Sequence, residues 1–202
     1  MRVADAIFQR LKSETDCVFF VPGGSSMFLV DALGRSGIQH VSAIHEQGAG
    51  AMALGYAMTS GSKKIMSNVI DIKTKGGLSV DVGARETYVN NYRLGVCCTI
   101  SGPGATNAIT PCLAAWNDSV PVLFISGQAR TETFGGGVGL RTHGLQPADI
   151  VRIVKPITKI AYEPQGNHDA IMALEDMIET CLSGRRGPCW LSIPQDVQAM
   201  EL

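Results

Sequence analysis

The stretch Ile44-His45-Glu46-Gln47-Gly48-Ala49-Gly50-Ala51 joins an apolar run to a run of small residues. The pattern of residues 38–44 predicts a buried strand. Residues 47–58 are rich in Ala, Gly and Met, which favours a helix packed closely on a sheet. Glu46 therefore falls at a strand-to-helix corner, where open parallel sheets bind their ligands. The alternative is that Glu46 is an ordinary acid in the first turn of a helix.

Strand and helix patterns alternate along all 202 residues. Such alternation predicts an α/β fold with three layers, in which helices cover both faces of a mainly parallel sheet of roughly six strands. The strands are expected at 17–21, 38–44, 94–100, 120–127, 157–162 and 189–194. The helices are expected at 2–13, around Phe28 to Leu33, at 46–59, 105–116 and 150–154, and from Asn167 or His168 to Leu182, with Gly184 closing the last one.

One segment, 62–93, interrupts this alternation. Two alternating stretches, 65–74 and 78–89, flank Lys75-Gly76-Gly77 and predict an inserted β-hairpin or irregular excursion. The segment leaves the far end of a helix and enters the amino end of a strand. We therefore expect it at the edge of the sheet opposite the ligand corners.

The turn Pro22-Gly23-Gly24 follows the first predicted strand, and Ser25 or Ser26 is expected to cap the next helix. Glycines there would let the backbone approach a ligand closely. A plain tight turn is the alternative, and this stretch alone favours it.

Composition excludes several classes of protein. The net charge is -1 and only 17% of residues are charged, which argues against a nucleic-acid or membrane partner. No apolar stretch is long enough to span a membrane. The six cysteines lack metal-ligand spacing, so no metal site is predicted, and we expect buried free thiols in a cytoplasmic protein.

A third corner, Ser101-Gly102-Pro103-Gly104-Ala105-Thr106-Asn107, follows the strand at 94–100. Its glycines and helix start could cradle a phosphate. However, it lacks the Lys-Ser/Thr of a P-loop and the three-glycine spacing of a dinucleotide site. A nucleotide-binding Rossmann protein therefore has little support.

The three corners together resemble those of the pyrimidine-binding (PYR) domain of thiamine-diphosphate-dependent enzymes, most like the acetolactate synthase group. The resemblance covers nearly the whole chain except 62–93, and it implies a single PYR-type domain over 1–202 with the ThDP-binding fold. Further stretches that carry it are Ala115-Trp116-Asn117-Asp118-Ser119-Val120-Pro121, Ile125-Ser126-Gly127-Gln128, Gln146 with Asp149-Ile150, Gly187-Pro188 and Ile193-Pro194-Gln195-Asp196-Val197.

The resemblance also implies roles for particular residues. Glu46 would match the glutamate that hydrogen-bonds N1′ of the cofactor's aminopyrimidine, and proton exchange there prepares the thiazolium carbon to attack a 2-keto acid. Gln146 would be a second catalytic residue near the substrate. The other cofactor-binding residues implied are Gly23, Gly24, Pro103 and Asn107.

Some features depart from the family pattern. Pro147 stands where the family usually has an acid, and the Gly-Asp-Gly motif that holds Mg²⁺ and diphosphate is absent. The resemblance implies that this motif belongs to a separate diphosphate-binding domain of the same or another chain. The chain would then supply half of a site in a homo-oligomer, a dimer or tetramer, and would be inactive by itself.

Several alternatives stay open. The chain is expected to be a piece of a larger 2-keto acid decarboxylase or carboligase, rather than the natural small subunit of a two-chain decarboxylase. A non-catalytic interaction module that keeps the fold is the competing class. The sequence leaves the keto acid, the acceptor and any FAD requirement undecided.

Overall fold

A computed structural model describes residues 1–59, 62–66, 71–73, 79–81, 86–90, 93–133, 143–144 and 146–202, with backbone alone between 62 and 90. The helices are α1 (Val3–Leu11), α2 (Met27–Ser36), α3 (Glu46–Thr59), α4 (Pro103–Asn107), α5 (Ile109–Asn117), α6 (Ile150–Val154), α7 (Asn167–Leu182) and α8 (Gln195–Ala199). The strands are β1 (Cys17–Phe20), β2 (Gln39–Ser42), β3 (Ser62–Met66), β4 (Asp71–Lys73), β5 (Ser79–Asp81), β6 (Glu86–Asn90), β7 (Gly95–Thr99), β8 (Val122–Gln128), β9 (Ala161–Tyr162) and β10 (Cys189–Pro194).

Six of these strands form one sheet in the order β2-β1-β7-β8-β10-β9, and every neighbouring pair is parallel. Apolar residues of α1, α2, α7 and α8 form a core on one face of the sheet. Apolar residues of α3, α4, α5 and α6 form a second core on the other face. The predicted three-layer α/β/α fold with a six-stranded parallel sheet is therefore confirmed.

The second core is built around two aromatic rings in the central strands. Phe124 of β8 and Trp190 of β10 stack with centroids 5.0 Å apart and planes 9° from parallel. The buried indole nitrogen of Trp190 donates a hydrogen bond to Ser126 Oγ at 3.0 Å. Because a buried Trp N–H needs a partner, this pairing lets the largest side chain of the core stay fully enclosed.

The strand before Glu46 differs from its prediction. β2 was expected to be buried, but all four of its residues are exposed, and Ile44 after it is fully exposed. β2 lies at the end of the strand order and pairs with β1 alone within the described sheet. Because an edge strand is covered on fewer sides, its apolar residue Val41 stays partly exposed, whereas Ile38 just before the strand is buried in the core.

The observed bounds of two other elements also differ from the predicted ones. The helix expected at 105–116 is two helices, α4 and α5, which are separated at Ala108 where ψ is close to zero. The strand expected at 157–162 is only Ala161–Tyr162, because residues Lys155–Ile157 form a 3₁₀ turn. The bounds predicted for α6 and β10 are confirmed, and α7 begins at Asn167, one of its two predicted start residues.

Within the segment 62–93, the described backbone forms two antiparallel pairs. β3 pairs with β6 from Ser62 opposite Asn90, and β4 pairs with β5 from Asp71 opposite Asp81. The predicted turn Lys75-Gly76-Gly77 lies outside the described residues. That the segment is an insertion separate from the domain stays a prediction.

The cysteines are free thiols, as expected, and all but Cys17 are buried. Burial raises the pKa of Cys98 to about 12 and raises the pKa of Cys97 well above its ordinary value. Since thiolate is the reactive form, these core thiols are poor nucleophiles. Their presence in central strands reflects packing.

Helix α3 contains three glycines, and two of them, Gly50 and Gly55, lie in opposite surroundings. A Cβ on Gly50 would lie 2.4 Å from Pro111 Cγ, whereas a Cβ on Gly55 would meet nothing within 4 Å. We expect Gly50→Ala to lower the free energy of unfolding by about 1–3 kcal/mol, because overpacking outweighs the gain in helix propensity. We expect Gly55→Ala to raise it by about 0.5–1 kcal/mol.

Urea unfolding of the two variants measures both effects. Equal changes in the two variants would contradict the close contact between α3 and α5.

Candidate functional site

Two neighbouring parallel strands bring the predicted corners together. β1 pairs with β7 so that Phe20 lies opposite Cys98. The loops that follow both strands therefore begin at the same edge of the sheet, its carboxyl edge. Helix α3 starts at this edge too, because β2 lies beside β1 in the same direction.

Ile100 fills the space between two of the corners. A Cβ on Gly23 would lie 2.4 Å from Ile100 Cγ2, and a Cβ on Gly104 would lie 2.2 Å from Ile100 Cγ1. Only glycine fits at either position without displacing this side chain. The predicted cofactor-binding residue Gly23 is thus packed against the same residue as the start of α4.

Glu46 is the first residue of α3 and is 8% exposed. Its Oε2 atom accepts a hydrogen bond from Asn107 Nδ2 at 3.0 Å. Its Oε1 atom would lie 2.9 Å from a Cβ on Gly104, and it accepts no hydrogen bond from the part of the chain that the structure describes. The structure therefore unites Glu46 and Asn107, and it leaves one carboxylate oxygen without a partner there.

The serines after Gly24 tie the loops together instead of capping α2. Ser25 Oγ accepts a hydrogen bond from the Ser101 backbone N–H at 2.8 Å, and Ser26 Oγ donates to the Gly23 carbonyl at 3.2 Å. Neither serine makes a side-chain cap at α2, so the predicted cap is wrong. The partner of Ser25 is distant in sequence, and no local pattern could have indicated it.

The backbone of Gly24 is held from the other side by α8. Gln195 Nε2 donates to the Gly24 carbonyl at 3.1 Å, and Gln198 Nε2 donates to the Ser25 carbonyl at 2.8 Å. A Cβ on Gly127 would lie 2.2 Å from that same Ser25 carbonyl. The loop that carries Gly23 and Gly24 is therefore fixed by contacts with the ends of β7, β8 and β10.

Gln146 lies beside the corner at 101–107. A Cβ on Gly102 would lie 2.0 Å from the Gln146 carbonyl oxygen, and Gly102 has a φ of 56°. Gln146 itself has a φ of 46°, a left-handed conformation that costs a side-chain-bearing residue about 1 kcal/mol. Its side chain is exposed and makes no hydrogen bond to the described residues. Pro103 is exposed in the first turn of α4.

A second carboxylate, Glu163, lies at the same edge and was missed in the sequence. Its Oε2 accepts hydrogen bonds from Gln128 Nε2 at 3.2 Å and from Ser192 Oγ at 3.1 Å. Gln128 Nε2 also donates to the Ala148 carbonyl at 2.8 Å, two residues after Gln146. Burial raises the pKa of Glu163, and the two hydrogen bonds offset part of that shift. The sequence feature that could have indicated Glu163 is its position directly after the strand predicted at 157–162.

Comparison with known proteins identifies relatives of this chain. The sequence model of the thiamine pyrophosphate enzyme N-terminal TPP binding domain matches residues 1–67 and 83–153. The chain is 36% identical, over its full length, to the acetolactate synthase large subunit of Corynebacterium glutamicum, of which it covers 27%. It is 33% identical over 97% of its length to the acetolactate synthase large subunit of Lactococcus lactis, of which it covers 28%. The chain thus spans about a quarter of the length of these relatives.

We expect the contact between Glu46 and Asn107 to contribute to stability. Asn107→Ala removes the donor from a nearly buried carboxylate, which should lower the free energy of unfolding by about 1–3 kcal/mol. A double-mutant cycle with Glu46→Ala, read by urea unfolding, should give a coupling energy of about 1 kcal/mol or more. Additive effects of the two substitutions would show that the hydrogen bond does not form in solution.

The raised pKa of Glu163 makes stability depend on pH. An acid whose pKa is higher in the folded state contributes stability at low pH, and this contribution is lost as pH rises from its ordinary value of 4.5 through the raised one. The stability of the unaltered chain relative to Glu163→Gln should therefore fall as pH rises from about 4.5 upward. Urea unfolding at several pH values measures this difference.

Ser192→Ala provides a matched comparison, because it removes a hydrogen bond that favours the ionised carboxylate. The fall in stability should then extend to higher pH than in the unaltered chain. A relative stability that rises with pH would show that Glu163 is stabilised in its charged form.

Proposed function

The chain belongs to the thiamine pyrophosphate enzymes as an N-terminal TPP-binding domain, and from this we propose that it is the pyrimidine-binding half of an acetolactate synthase-like 2-keto acid decarboxylase or carboligase. The acetolactate synthase relatives are about four times longer. A diphosphate-binding domain, of the same or another chain, completes the site in this proposal. Mg²⁺ enters with that domain.

The observation that carries the proposal is the state of the Glu46 carboxylate. Asn107 holds one oxygen, and the other accepts no hydrogen bond from the described residues. The positive end of the α3 dipole favours a negative charge at this position. An oriented carboxylate with a spare oxygen, at the carboxyl edge of a parallel sheet, fits a protonated ring nitrogen of an aminopyrimidine.

The surrounding residues fit a flat heteroaromatic ring as well. Gly23 and Gly104 bring two backbone corners against Ile100, an apolar side chain beside Glu46. The two glycines let both backbone segments pack against Ile100, so an apolar side chain lies beside the Glu46 carboxylate. This supports the roles proposed for Gly23, Gly24 and Pro103 on the cofactor's pyrimidine end.

Each of these groups has a distinct task in the reaction. Bound thiamine diphosphate supplies an electron sink for cleavage of the bond between the keto and carboxyl carbons. Glu46 exchanges a proton with the ring nitrogen, and Asn107 orients Glu46 for that exchange. Gln146, on a loop tied to Gln128 and Glu163, faces the substrate side in this proposal.

The nature of the partners follows from the same half-site. Within the described ranges, no group of three or more His, Cys, Asp or Glu side chains is placed to hold a metal ion. Among the helices that the structure describes, none has the length and apolar character needed to cross a bilayer. We propose a homo-oligomer in which Glu46 of one chain faces the diphosphate-binding domain of another chain. We propose that this oligomer is located in the cytoplasm.

A chimera tests this function. The chain replaces the segment that it matches in the Corynebacterium glutamicum synthase, and pyruvate consumption is measured with thiamine diphosphate and Mg²⁺. Glu46→Gln should reduce kcat by about a hundredfold or more, because a general acid–base contributes that much. Glu179→Gln, an exposed change of the same kind on α7, should retain full activity.

Cofactor binding by the same chimeras separates the competing classes. Glu46→Gln should weaken thiamine diphosphate binding while the thermal unfolding midpoint stays within a few degrees. If the chimera folds but is inactive, and Glu46→Gln leaves its thiamine diphosphate binding unchanged, the result would favour a non-catalytic module.

A further inference from the structure

The backbone around Gln146 is held at a point before this residue and at a point after it. Before it, Gly144 has a φ of 89°, and a Cβ there would lie 2.7 Å from Thr133 Oγ1. After it, the Ala148 carbonyl accepts a hydrogen bond from Gln128 Nε2 at 2.8 Å. The first contact is close packing, whereas the second is directional. The hydrogen bond from Gln128 therefore restrains the chain two residues from Gln146.

The Gln128 side chain has little freedom to turn. It is fully buried at the end of β8, and its Oε1 atom accepts a hydrogen bond from the Ala129 backbone N–H at 2.9 Å. Its Nε2 atom has two hydrogens and donates to the Ala148 carbonyl and to Glu163 Oε2. Because the amide group is planar, a partner that fixes one N–H also sets the direction of the other. Glu163 therefore acts on the Ala148 contact through a single side chain.

The strand order brings Glu163 beside Gln128. β10 pairs with β8 on one side and with β9 on the other, and Glu163 directly follows β9. Ser192 of β10 donates from Oγ to the same Glu163 oxygen at 3.1 Å. The raised pKa of Glu163 is that of a carboxyl group which is partly enclosed by protein. A carboxyl group held by two neighbouring strands is a firm support for the Gln128 amide.

We propose that Glu163 and Gln128 are positioning residues for Gln146. Glu163 orients the Gln128 amide, Gln128 holds the Ala148 carbonyl, and this contact keeps Gln146 against the corner at 101–107. The inference rests on the function proposed above, in which Gln146 faces the substrate. It deepens that function, because it names the residues that control the substrate side of the site.

Hydrogen–deuterium exchange of the full chain tests this restraint without any reaction. The amides of Ile150 and Arg152 are hydrogen-bonded and report on the segment. Glu163→Leu removes the acceptor, so the amides of residues 146–152 should exchange about tenfold faster or more. Glu179→Leu, an exposed change of the same kind on α7, should leave them unaltered. Unaltered exchange in Glu163→Leu would overturn the proposal.

Two further variants separate the proposed link from the packing of the sheet edge. Ser192→Ala removes the other hydrogen bond to the same Glu163 oxygen and leaves the contact between Gln128 and Ala148 in place. Exchange at 146–152 should then stay within about threefold of that in the unaltered chain. Gln128→Met, which is similar in length but has no donor, should reproduce the increase seen in Glu163→Leu. Equal effects of Ser192→Ala and Gln128→Met would show general loosening of the edge and overturn the proposal.

Kinetics of the chimera described above test the effect on the reaction. Glu163→Leu should lower kcat/KM for pyruvate by about tenfold or more, while the Kd for thiamine diphosphate stays within about twofold. A parallel loss of cofactor affinity would indicate a merely structural role and overturn the proposal. An inactive chimera would count against the function proposed above, and the exchange measurements would still decide this inference.

A double-mutant cycle shows whether Glu163 acts through Gln146. In the Gln146→Ala chimera, Glu163→Leu should cause no further loss of kcat/KM, because the residue that it positions has lost its side chain. Glu163→Gln keeps an oxygen acceptor at the same place and should restore most of the kcat/KM lost in Glu163→Leu. Additive losses in Gln146→Ala and Glu163→Leu would overturn the proposal.

Discussion

The structure depends on two parallel strands, β1 and β7, that end at the same level. Their pairing places Phe20 opposite Cys98, so the loops after them must share one small volume at the edge of the sheet. The Ile100 side chain fits into that volume because Gly23 and Gly104 have no side chains of their own. With the loops packed in this way, Asn107 Nδ2 lies 3.0 Å from Oε2 of Glu46, the first residue of α3. Sterics at two glycines therefore determine the polar geometry of the candidate site.

Much of this arrangement could be predicted from the sequence, since it follows from local patterns. Apolar runs predicted the central strands, and small residues after Ile44 predicted a helix that begins at Glu46. Glycine-rich turns between these patterns then indicated one shared edge. The strongest local signals are those where strand, turn and helix chemistry agree, as at residues 95–107.

The remaining features depend on contacts between distant residues. The exposure of β2 could not be read from its pattern, because a short apolar run is the same in an edge strand as in a central one. The link between Ser25 and Ser101 joins residues 76 positions apart. Glu163 and Gln128 each looked like an ordinary polar residue after a strand, and only the sheet order β8-β10-β9 brings them together. The exposure of β2, the Ser25–Ser101 link and the Glu163–Gln128 contact all depend on the order of the strands in the sheet, which local sequence patterns do not reveal.

The length of α3 has a consequence for how this domain can be altered. The helix has 14 residues, so it carries the chain about 21 Å from Glu46 before β3 starts. The sequence model of the family passes over residues 68–82, within the segment that follows. A change of length there begins a full helix away from the carboxylate. Lineages can therefore vary the length of this segment, and a fluorescent reporter or affinity handle can be inserted into it, while Glu46 at the start of the helix is inherited unchanged.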